Sequence, residues 1–334
     1  MLHRTIAEVA RHASVSPATV SRVLNGDPRV GDDLRRRVLA SVATLEYRPN
    51  RLARNLRKRS TQTIGVVVPD IENPHFGEMV RAVEDTAYAR GYRVLICNTD
   101  ETPEKQHNYL IELADERVCG VILSPSEPAD PAIAALVDSG IHVTAFDREV
   151  ADARIDVVIA DNVAATRAAT ELLLDAGHRD VALVAGRQDV ETGAERREGF
   201  ELAMHAAGLE PRAVDGRFRI EGGREAVRAL LADPSPPSAI VVANNLMTVG
   251  ALLAVREAGL RVPGDLAVVG IDDPVWASLA DPPLTTVAQP VRRMAMDAME
   301  LLLERVAGAR SEPRRVVHPF ELRRRESCGT AARS

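Results

Sequence analysis

The chain has 334 residues, of which 46% are hydrophobic and 27% charged, and its formal net charge is −6 at pH 7. This length exceeds what one ordinary hydrophobic core supports, so we expect two or three domains in a water-soluble protein. No apolar run reaches the length of a membrane span, and the first residues lack the apolar stretch of a secretory signal peptide, so we expect a cytoplasmic protein without membrane contact.

The N-terminal stretch TIAEVARHASVSPATVSRVLNG predicts two short helices joined by a tight turn. A T-x-x-E capping box begins at Thr5 and starts the first helix. Ser16 is placed to cap the second helix, and Pro17 stands at its first position, where the missing N–H has no cost. Gly26 provides the left-handed residue that ends it. The pattern is that of a helix-turn-helix.

The second helix has an outward face of small and hydrogen-bonding side chains around one arginine: Ala18, Thr19, Ser21, Arg22 and Asn25. Such a face suits close approach to base edges and phosphates in the DNA major groove. A helical hairpin that binds nothing is the alternative. Charge weighs against it, because residues 1–60 hold 13 Lys plus Arg and 5 Asp plus Glu, while residues 61–334 carry a net charge of −14. A basic head on an acidic body is typical of a polyanion-binding module.

A third helix is predicted from Asp32 or Asp33 to Leu45, where apolar residues recur at helical spacing. After it, residues 48–59 contain six basic residues and no acid. Asn50 is placed to cap a short helix in which Ala53 and Leu56 share a face. The alternative is a solvated linker, since a helix this short is marginal in water.

From Thr63 onward, apolar runs alternate with amphipathic segments, which predicts an α/β fold of doubly wound parallel sheets with helices on both faces. The predicted strands are Ile64–Pro69, Arg93–Cys97, Val118–Leu123, His142–Phe146, Val157–Ala160, Val181–Ala185, Ala239–Ala243 and Leu266–Ile271. Helices are predicted at Glu78–Arg90, Asn162–Ala176 and Gly193–Ala207. So many units over about 270 residues imply two lobes.

Ligands of open parallel sheets bind beyond the carboxyl ends of the strands. Polar residues follow the predicted strands at Asp70, Ser124, Asp147-Arg148, Asn244 and Asp272. Further candidates are Gln289, and Thr192 and Arg196 at the start of a helix. Short polar groups with one arginine suit a polyhydroxylated ligand, and Phe76 and Trp276 offer apolar faces for a sugar ring.

Each of these residues has an alternative, purely structural interpretation. Asp and Asn after a strand are often only caps of the following helix. Arg196 could be a surface arginine in a run with Arg197, and Arg148 could pair with a local carboxylate. Trp276, the only tryptophan, could belong to a hydrophobic core.

Three segments carry a resemblance to a known family. Residues 15–25 match the pattern V-S-x-x-T-V-S-R-V-L-N at every fixed position, and the chain resembles the LacI/GalR family of bacterial transcription regulators there. Residues 47–56 match the family's hinge, Y-R-P-N-x-x-A-R-x-L, and residues 282–290 match P-P-L-T-T-V-x-Q-P. In the family the hinge folds on the operator, and paired leucines wedge into the minor groove, a role that the resemblance assigns to Leu56.

The resemblance implies a domain plan. A helix-turn-helix headpiece would occupy residues 1–46, a hinge residues 47–61, and a periplasmic-binding-protein-like core residues 62–334. We place the N-lobe at about 62–160 and 290–320 and the C-lobe at about 161–289 and 321–334, with crossings near Asp161, Gln289-Pro290 and Phe320. The residues expected to contact DNA are Thr5, Ser16, Pro17, Ala18, Thr19, Ser21, Arg22, Asn25, Tyr47, Asn50, Arg51, Ala53, Arg54 and Leu56.

The resemblance also implies an effector site between the lobes. The residues expected to contact the effector are Asp70, Phe76, Ser124, Asp147, Arg148, Thr192, Arg196, Asn244, Asp272, Trp276 and Gln289. Purine-binding relatives are expected to carry a polar group where Val190 stands, which favours a sugar. We therefore expect a homodimeric regulator that reads a pseudo-palindromic double-stranded DNA operator, most simply as a repressor, under control of a small ligand.

An enzyme and a free sugar-binding protein are the two alternative classes of function. An enzyme is disfavoured because the chain has no G-x-S-x-G elbow, no P-loop and no H-E-x-x-H spacing. A free sugar-binding protein or carbohydrate-active enzyme leaves the basic N-terminal residues unexplained. Cys97, Cys119 and Cys328 form no metal-binding pattern, so neither a metal nor another cofactor is expected. The C-terminal residues lack a leucine heptad, so a coiled-coil tetramer is not expected.

Overall fold

The structure is a computed structural model of the chain, and it describes residues 5–24, 27, 29–45, 47 and 61–329. The chain divides into two compact units, residues 1–61 and residues 62–334. No helix among the described residues is long and apolar enough to cross a membrane.

The first unit contains three helices: α1 (Ile6–His12), α2 (Pro17–Leu24) and α3 (Asp32–Thr44). The predicted capping box is present, because the Thr5 side chain accepts from the Glu8 backbone N–H while the Glu8 carboxylate accepts from Thr5 N at 2.7 Å. Arg37 Nη2 donates to Ala13 O at 2.8 Å and ties α3 to the α1–α2 turn. A small apolar core holds the helices together: Val9, Ala10, Ala13, Val20, Val23, Val30, Val38 and Tyr47.

The second unit contains two six-stranded sheets, each of which organises one lobe. The N-lobe sheet is parallel throughout, in the order β11-β5-β4-β3-β1-β2. Its strands are β1 (Thr63–Val68), β2 (Arg93–Asn98), β3 (Gly120–Leu123), β4 (His142–Phe146), β5 (Asp156–Ala160) and β11 (Arg315–His318). Its helices are α4 (Pro74–Ala89), α5 (Pro103–Asp115), α6 (Pro131–Asp138) and α11 (Val291–Val306). Apolar residues of α4 and α11 share one core cluster, and those of α5 and α6 share another.

The C-lobe sheet has the order β12-β10-β9-β8-β6-β7, in which only β12 is antiparallel, to β10. Its strands are β6 (Val181–Ala185), β7 (Arg212–Asp215), β8 (Ala239–Val242), β9 (Ala267–Ile271), β10 (Thr285–Ala288) and β12 (Glu321–Arg323). Its helices are α7 (Asn162–Asp175), α8 (Glu191–Ala206), α9 (Ile220–Leu231) and α10 (Asn245–Glu257), with a short 3₁₀ helix at Val275–Ser278. Their apolar residues form one continuous core.

The α/β class and the two doubly wound sheets confirm the predicted fold. Eight strands correspond to the predicted apolar runs, whereas β7, β10, β11 and β12 were not predicted. Three of these four, β7, β11 and β12, are sheet edges. Edge strands are half exposed, so they lack the continuous apolar run that marks a strand buried on both faces. The fourth, β10, is four residues long and has two threonines.

The chain passes between the two lobes three times: between β5 and α7, between β10 and α11, and between β11 and β12. The lobes therefore stay connected at one side, while residues that follow the carboxyl ends of several strands line a cleft between them. The arrangement follows from parallel strands, whose carboxyl ends share one edge of the sheet.

Candidate functional site

A polar cleft lies between the N-lobe and the C-lobe and holds about 460 Å³ of empty space, part of it open to solvent. Both lobes contribute to its walls. The N-lobe supplies Asp70, Asn73, His75, Phe76, Glu101, Asp147 and Arg148, and the C-lobe supplies Thr192, Arg196, Phe218, Arg219, Asn244 and Asp272. A ligand in this cleft would contact both lobes at once.

The structure brings eight of the eleven expected ligand-binding residues to this cleft, namely Asp70, Phe76, Asp147, Arg148, Thr192, Arg196, Asn244 and Asp272. It places the other three elsewhere. Ser124 is fully buried after β3, and its Oγ has no hydrogen-bond partner among the described residues. Trp276 packs against the C-lobe core, which is the structural alternative for this residue. Gln289 lines a neighbouring cavity and donates from Nε2 to Asp272 Oδ1 at 2.8 Å, so it supports Asp272 from behind.

Five residues of the cleft are not among the eleven expected contacts: Asn73, His75, Glu101, Phe218 and Arg219. The rule that pointed to Asp70 could have found the first three, because they follow the ends of β1 and β2. Phe218 and Arg219 follow the exposed edge strand β7, which the sequence pattern did not predict. Phe218 places an aromatic side chain on the C-lobe wall of the cleft, which Trp276 does not line.

Four residues of the cleft have left-handed backbone conformations that non-glycine residues rarely adopt. The φ angles are +57° at Glu101, +69° at Asp147, +57° at Phe218 and +72° at Asp272. Each such residue costs about 1–3 kcal/mol, and strained residues of this kind cluster at binding and catalytic sites. Their concentration here supports a functional role for the cleft.

His75 lines the cleft and lies between two carboxylates. Its Nε2 is 3.3 Å from Asp147 Oδ1, an ion-pair distance without the alignment of a hydrogen bond, and its Nδ1 is 3.8 Å from Asp272 Oδ1. Burial lowers the pKa of His75, but the two carboxylates outweigh it and raise the pKa above the ordinary value of 6.5. Burial raises the pKa of Asp147, yet His75, Arg148 and Arg196 hold it below its ordinary 3.8.

No cluster of three or more His, Cys, Asp or Glu in the described chain is arranged to hold a metal ion.

The two buried arginines of the cleft differ in what they can offer to a ligand. Arg148 is committed to Glu101 through hydrogen bonds of 2.8 and 2.6 Å, and Nη1 also donates to Pro125 O at 3.0 Å. The local carboxylate that the sequence analysis left open is therefore Glu101. Arg196 donates from Nε to Asn162 Oδ1 at 2.9 Å and from Nη1 to Ala243 O at 2.7 Å. Its Nη2 makes no hydrogen bond to the described residues and remains available for a ligand.

Direct contacts hold the lobes together around the cleft. Arg219 Nη1 donates to Asp70 Oδ2 at 2.6 Å, and Asn245 Nδ2 donates to Asn73 Oδ1 at 2.9 Å. Opening the cleft would break these hydrogen bonds, so the lobe orientation responds to any group that competes for them. Asn244 also caps α10 by accepting from Met247 N at 2.8 Å, so the helix-cap alternative holds for this residue.

The headpiece exposes the side chains expected at DNA. Pro17, Ala18 and Arg22 are exposed on α2, and Thr19 and Ser21 are half-exposed. Ser16 caps α2 by accepting from Thr19 N at 3.1 Å. Thr5 is exposed and caps α1. The exception is Tyr47, which is only 8% exposed because it packs into the headpiece core. Asn25, Asn50, Arg51, Ala53, Arg54 and Leu56 lie outside the described residues.

Comparison with known proteins gives two domain matches. Residues 5–50 match the model of bacterial regulatory proteins of the lacI family, and residues 170–328 match a periplasmic binding protein-like domain. The HTH-type transcriptional repressor PurR of Yersinia pestis (strain Pestoides F) is 35% identical over 327 residues, which is 96% of each chain.

Solved structures of similar proteins cover nearly the whole chain. A transcriptional regulator CelR in complex with cellobiose is 33% identical, with a TM-score of 0.74 over 97% of this chain and 99% of that one. The lac repressor dimer bound to operator and the anti-inducer ONPF is 28% identical, with a TM-score of 0.88 over 98% of this chain and 100% of that one. Both the headpiece and the two-lobed core are therefore shared with proteins that act on DNA.

Proposed function

This chain belongs to the LacI family of bacterial regulatory proteins, and we propose that an uncharged, sugar-like effector in its interlobe cleft controls the affinity of its headpiece for operator DNA. It is a DNA-binding transcriptional repressor with a ligand-binding core and not an enzyme. The identity of the effector, the assembly as a homodimer on a pseudo-palindromic operator, and the residue roles below are part of the proposal.

The balance of charge in the cleft is the observation that carries the proposal. Asp70 is paired with Arg219, and Glu101 is paired with Arg148. The remaining two carboxylates face His75, whose pKa they raise, and Arg196 stands among them. With His75 protonated, four carboxylates meet four cations, and the walls then present no net charge to a ligand. Burying an ionic ligand there would leave a charge without a counterion, which is costly. A phosphorylated or carboxylated effector is therefore disfavoured.

The polar groups of the cleft suit hydroxyl groups. A hydroxyl both donates and accepts, so it can accept from Arg196 Nη2 and donate to a carboxylate oxygen of Asp147 or Asp272. Thr192 and Asn244 add further polar atoms on the C-lobe wall. A polyhydroxylated ring can satisfy groups on both lobes at once, which a ligand with few polar atoms cannot do.

Two aromatic side chains offer apolar surface beside these polar groups. Phe76 is 4% exposed at the start of α4, and Phe218 lies on the opposite lobe. A sugar ring has apolar C–H faces between its hydroxyl edges, so it can pack on an aromatic ring while its hydroxyls reach the polar walls. The cellobiose complex of a protein 33% identical to this chain supports the same class of ligand.

A purine base is the second candidate, because the PurR repressors are 35% identical to this chain. A flat base could stack on Phe76 or Phe218. Val190 argues against it: this residue is buried and apolar at the beginning of α8, where we expect a polar or charged group in purine-binding relatives. The sugar therefore remains the better-supported ligand.

The proposed mechanism couples the cleft to DNA through the orientation of the lobes. A ligand that contacts both walls stabilises the orientation of the lobes to which it binds most tightly. The free energy of this stabilisation equals the difference between its binding free energies for the alternative orientations. The lobe orientation sets the positions from which the two chains of a dimer present their hinges and headpieces. The coupling is reciprocal, so operator binding must change effector affinity by the same factor.

The test is a thermal-shift screen of the full-length protein with cellobiose, ribose, xylulose, ribose 5-phosphate, glucuronate, adenine and hypoxanthine, followed by operator affinity with and without each stabilising compound. We expect a neutral sugar to raise Tm and to change operator affinity. Arg196→Ala should lose both effects. Arg197→Ala is the matched control, because the neighbouring Arg197 is exposed and pairs with Glu201 on the helix surface.

Three results would contradict the proposal. Stabilisation by a purine but by no sugar would assign the cleft to a base. Stabilisation by ribose 5-phosphate or glucuronate alone would show that the charge balance does not select neutral ligands. A sugar response that Arg196→Ala retains in full would place the effector elsewhere.

A further inference from the structure

His75 faces carboxylates from both lobes, and recognition of a neutral ligand does not explain this position. We propose that protonated His75 links the two lobes, so that closing the cleft takes up a proton and weakens as pH rises. The proposal rests on the proposed function only for the identity of the cleft as the effector site; the contacts of His75 do not depend on it.

The geometry favours a proton on both ring nitrogens. Nε2 is 3.3 Å from Asp147 of the same lobe, and Nδ1 is 3.8 Å from Asp272 of the opposite lobe. A neutral imidazole has one N–H and one lone pair, so it could serve one carboxylate while its lone pair would repel the other. Only the imidazolium is favourable toward both, and it also screens the repulsion between the two aspartates.

The ring is held in place by its surroundings, so it cannot turn away from either carboxylate without disturbing the packing. The His75 side chain is 5% exposed. Phe76 packs edge-on, with ring centroids 5.0 Å apart and an interplanar angle of 83°, and Phe146 lies 6.0 Å away. His75 is also the second residue of α4, and its backbone N–H donates to the Asn73 side chain at 3.0 Å.

Several influences oppose a charged imidazole here. Burial disfavours the charge, Arg196 repels it, and the beginning of α4 presents the positive end of the helix dipole. The other charged groups near the ring are more distant: Asp70 on the same wall of the cleft, and Glu78, Asp273 and Arg323 around the neighbouring cavity. The two contacting aspartates outweigh these effects, because Coulomb attraction in a buried site is strongest at contact distance.

The direction of the pH dependence follows from linkage. When the lobes separate, Asp272 moves away from His75, and the pKa of His75 falls. The closed arrangement therefore binds more protons than the open one. The attraction between protonated His75 and Asp272 contributes its full free energy to closure while His75 is protonated in both arrangements. This contribution is lost as pH rises through the raised pKa of the closed arrangement. Asp147, whose pKa is lowered, stays ionised throughout this range.

The first measurement is the pKa of His75 in the full-length protein, from the ring proton and nitrogen resonances in NMR, assigned by their loss in His75→Gln. We expect a value above 6.5 that falls by at least half a unit in Asp272→Asn, which removes the charge on the opposite lobe. Glu78→Gln is the matched control, because Glu78 lies on the same helix as His75, and this change should move the pKa little.

The second measurement is amide hydrogen exchange of residues 70–76 and 244–248, which form the contacts between the lobes, at pH 6 and pH 8.5 after correction for intrinsic exchange rates. Wild type should lose several-fold protection at the higher pH, whereas His75→Gln should show equal protection at both. Thermal melting of each variant at pH 6 verifies that it is folded.

Three outcomes would overturn the inference. They are a His75 pKa at or below 6.5, a pKa that Asp272→Asn does not change, and a pH dependence of protection that persists in His75→Gln. None of these measurements uses a ligand, so they stand apart from the effector screen. A failed screen with the expected His75 behaviour would leave the proton link intact. A neutral His75 would remove one cation from the charge balance of the cleft, while the effector screen would still test the cleft as a binding site.

Discussion

Asp147 and Asp272 occupy equivalent positions in the two lobes and approach the same imidazole from opposite sides. Asp147 follows β4 and Asp272 follows β9, the third strand in the order of each sheet. Both have left-handed backbones, with φ of +69° and +72°. Each backbone N–H donates at 2.9 Å to the neighbouring strand, Asp147 to Val158 O and Asp272 to Val287 O. The two lobes thus present matching carboxylates across the cleft.

The left-handed conformation of Asp272 gives a prediction that separates charge from backbone strain. Asn tolerates this conformation and keeps one oxygen for Gln289 Nε2, whereas Ala does neither. Asp272→Asn should therefore lose the effector response but less stability than Asp272→Ala, although its Nδ2 would face Asn245 N and Nδ2, which donate to Asp272 Oδ2 at 3.3 and 3.0 Å. Asp272→Ala should lose the response and about 1–3 kcal/mol of unfolding free energy. Urea denaturation and ligand-induced Tm shifts provide the two readouts. Equal stabilities of the variants would show that strain at this position is unimportant.

The aromatic wall of the cleft can be identified by a paired substitution. Phe218 and Trp276 both pack on the C-lobe core, but of the two only Phe218 also lines the cleft. Phe218→Leu should weaken binding of a stabilising sugar about tenfold, since an aromatic face contributes roughly 0.5–1.5 kcal/mol beyond its buried area. Trp276→Leu should lower stability and leave sugar affinity close to wild type. Calorimetric titration with that sugar measures the affinity of each variant. Weaker sugar binding by Trp276→Leu together with unchanged binding by Phe218→Leu would show that Trp276, and not Phe218, contacts the sugar.

Recognition of DNA bases should depend chiefly on Arg22. Pro17 and Ala18 offer only apolar contact, and the half-exposed Thr19 and Ser21 suit phosphates. Arg22→Ala should cost about 1–3 kcal/mol per half-site and relax the preference at one base pair. Arg36→Ala is the control, because Arg36 is an exposed headpiece arginine on α3 that pairs with Asp33. A binding-site selection that returns the wild-type base preference for Arg22→Ala would refute the assignment.

The lowered pKa of Asp147 predicts that part of the free energy of unfolding is lost at low pH. Its pKa is below 3.8 in the folded protein, despite burial, because of His75 and the nearby arginines. A lowered pKa contributes stability above pH 3.8, and this contribution is lost as pH falls through the folded value. Wild type should therefore be more stable than Asp147→Asn at pH 5, and the difference should shrink toward pH 3. Denaturation at each pH tests this expectation; a constant difference would mean that the carboxylate charge does not matter.

The hinge prediction concerns Leu56, which lies outside the described residues and follows from the family resemblance. Leu56→Ala should weaken operator binding and reduce DNA bending, while binding to random DNA stays nearly constant. The leucine acts only where the duplex opens, whereas Arg51 and Arg54 act through charge. Gel-shift assays on permuted operator fragments report both affinity and bending. An equal loss on operator and random DNA would exclude a wedge.

The sequence alone determined the class of the fold, because buried parallel strands leave continuous apolar runs that can be recognised without any knowledge of the partner strands. It also determined the start of α1, where the capping box at Thr5 is a purely local interaction. Most of the polar residues that line the cleft could be predicted as well. They follow the carboxyl ends of strands, and parallel topology brings those ends together whatever the details of packing.

Only the tertiary structure decided which side chains face the cleft. Trp276 and Phe218 are both partly buried aromatic residues that pack against the C-lobe core, but of the two only Phe218, in a left-handed turn after an exposed edge strand, also lines the cleft. Tyr47 likewise turns into the headpiece core. His75 meets Asp272 although they are far apart in sequence and lie on different lobes. Local patterns carry no information on such distances, because the orientation of the lobes sets them.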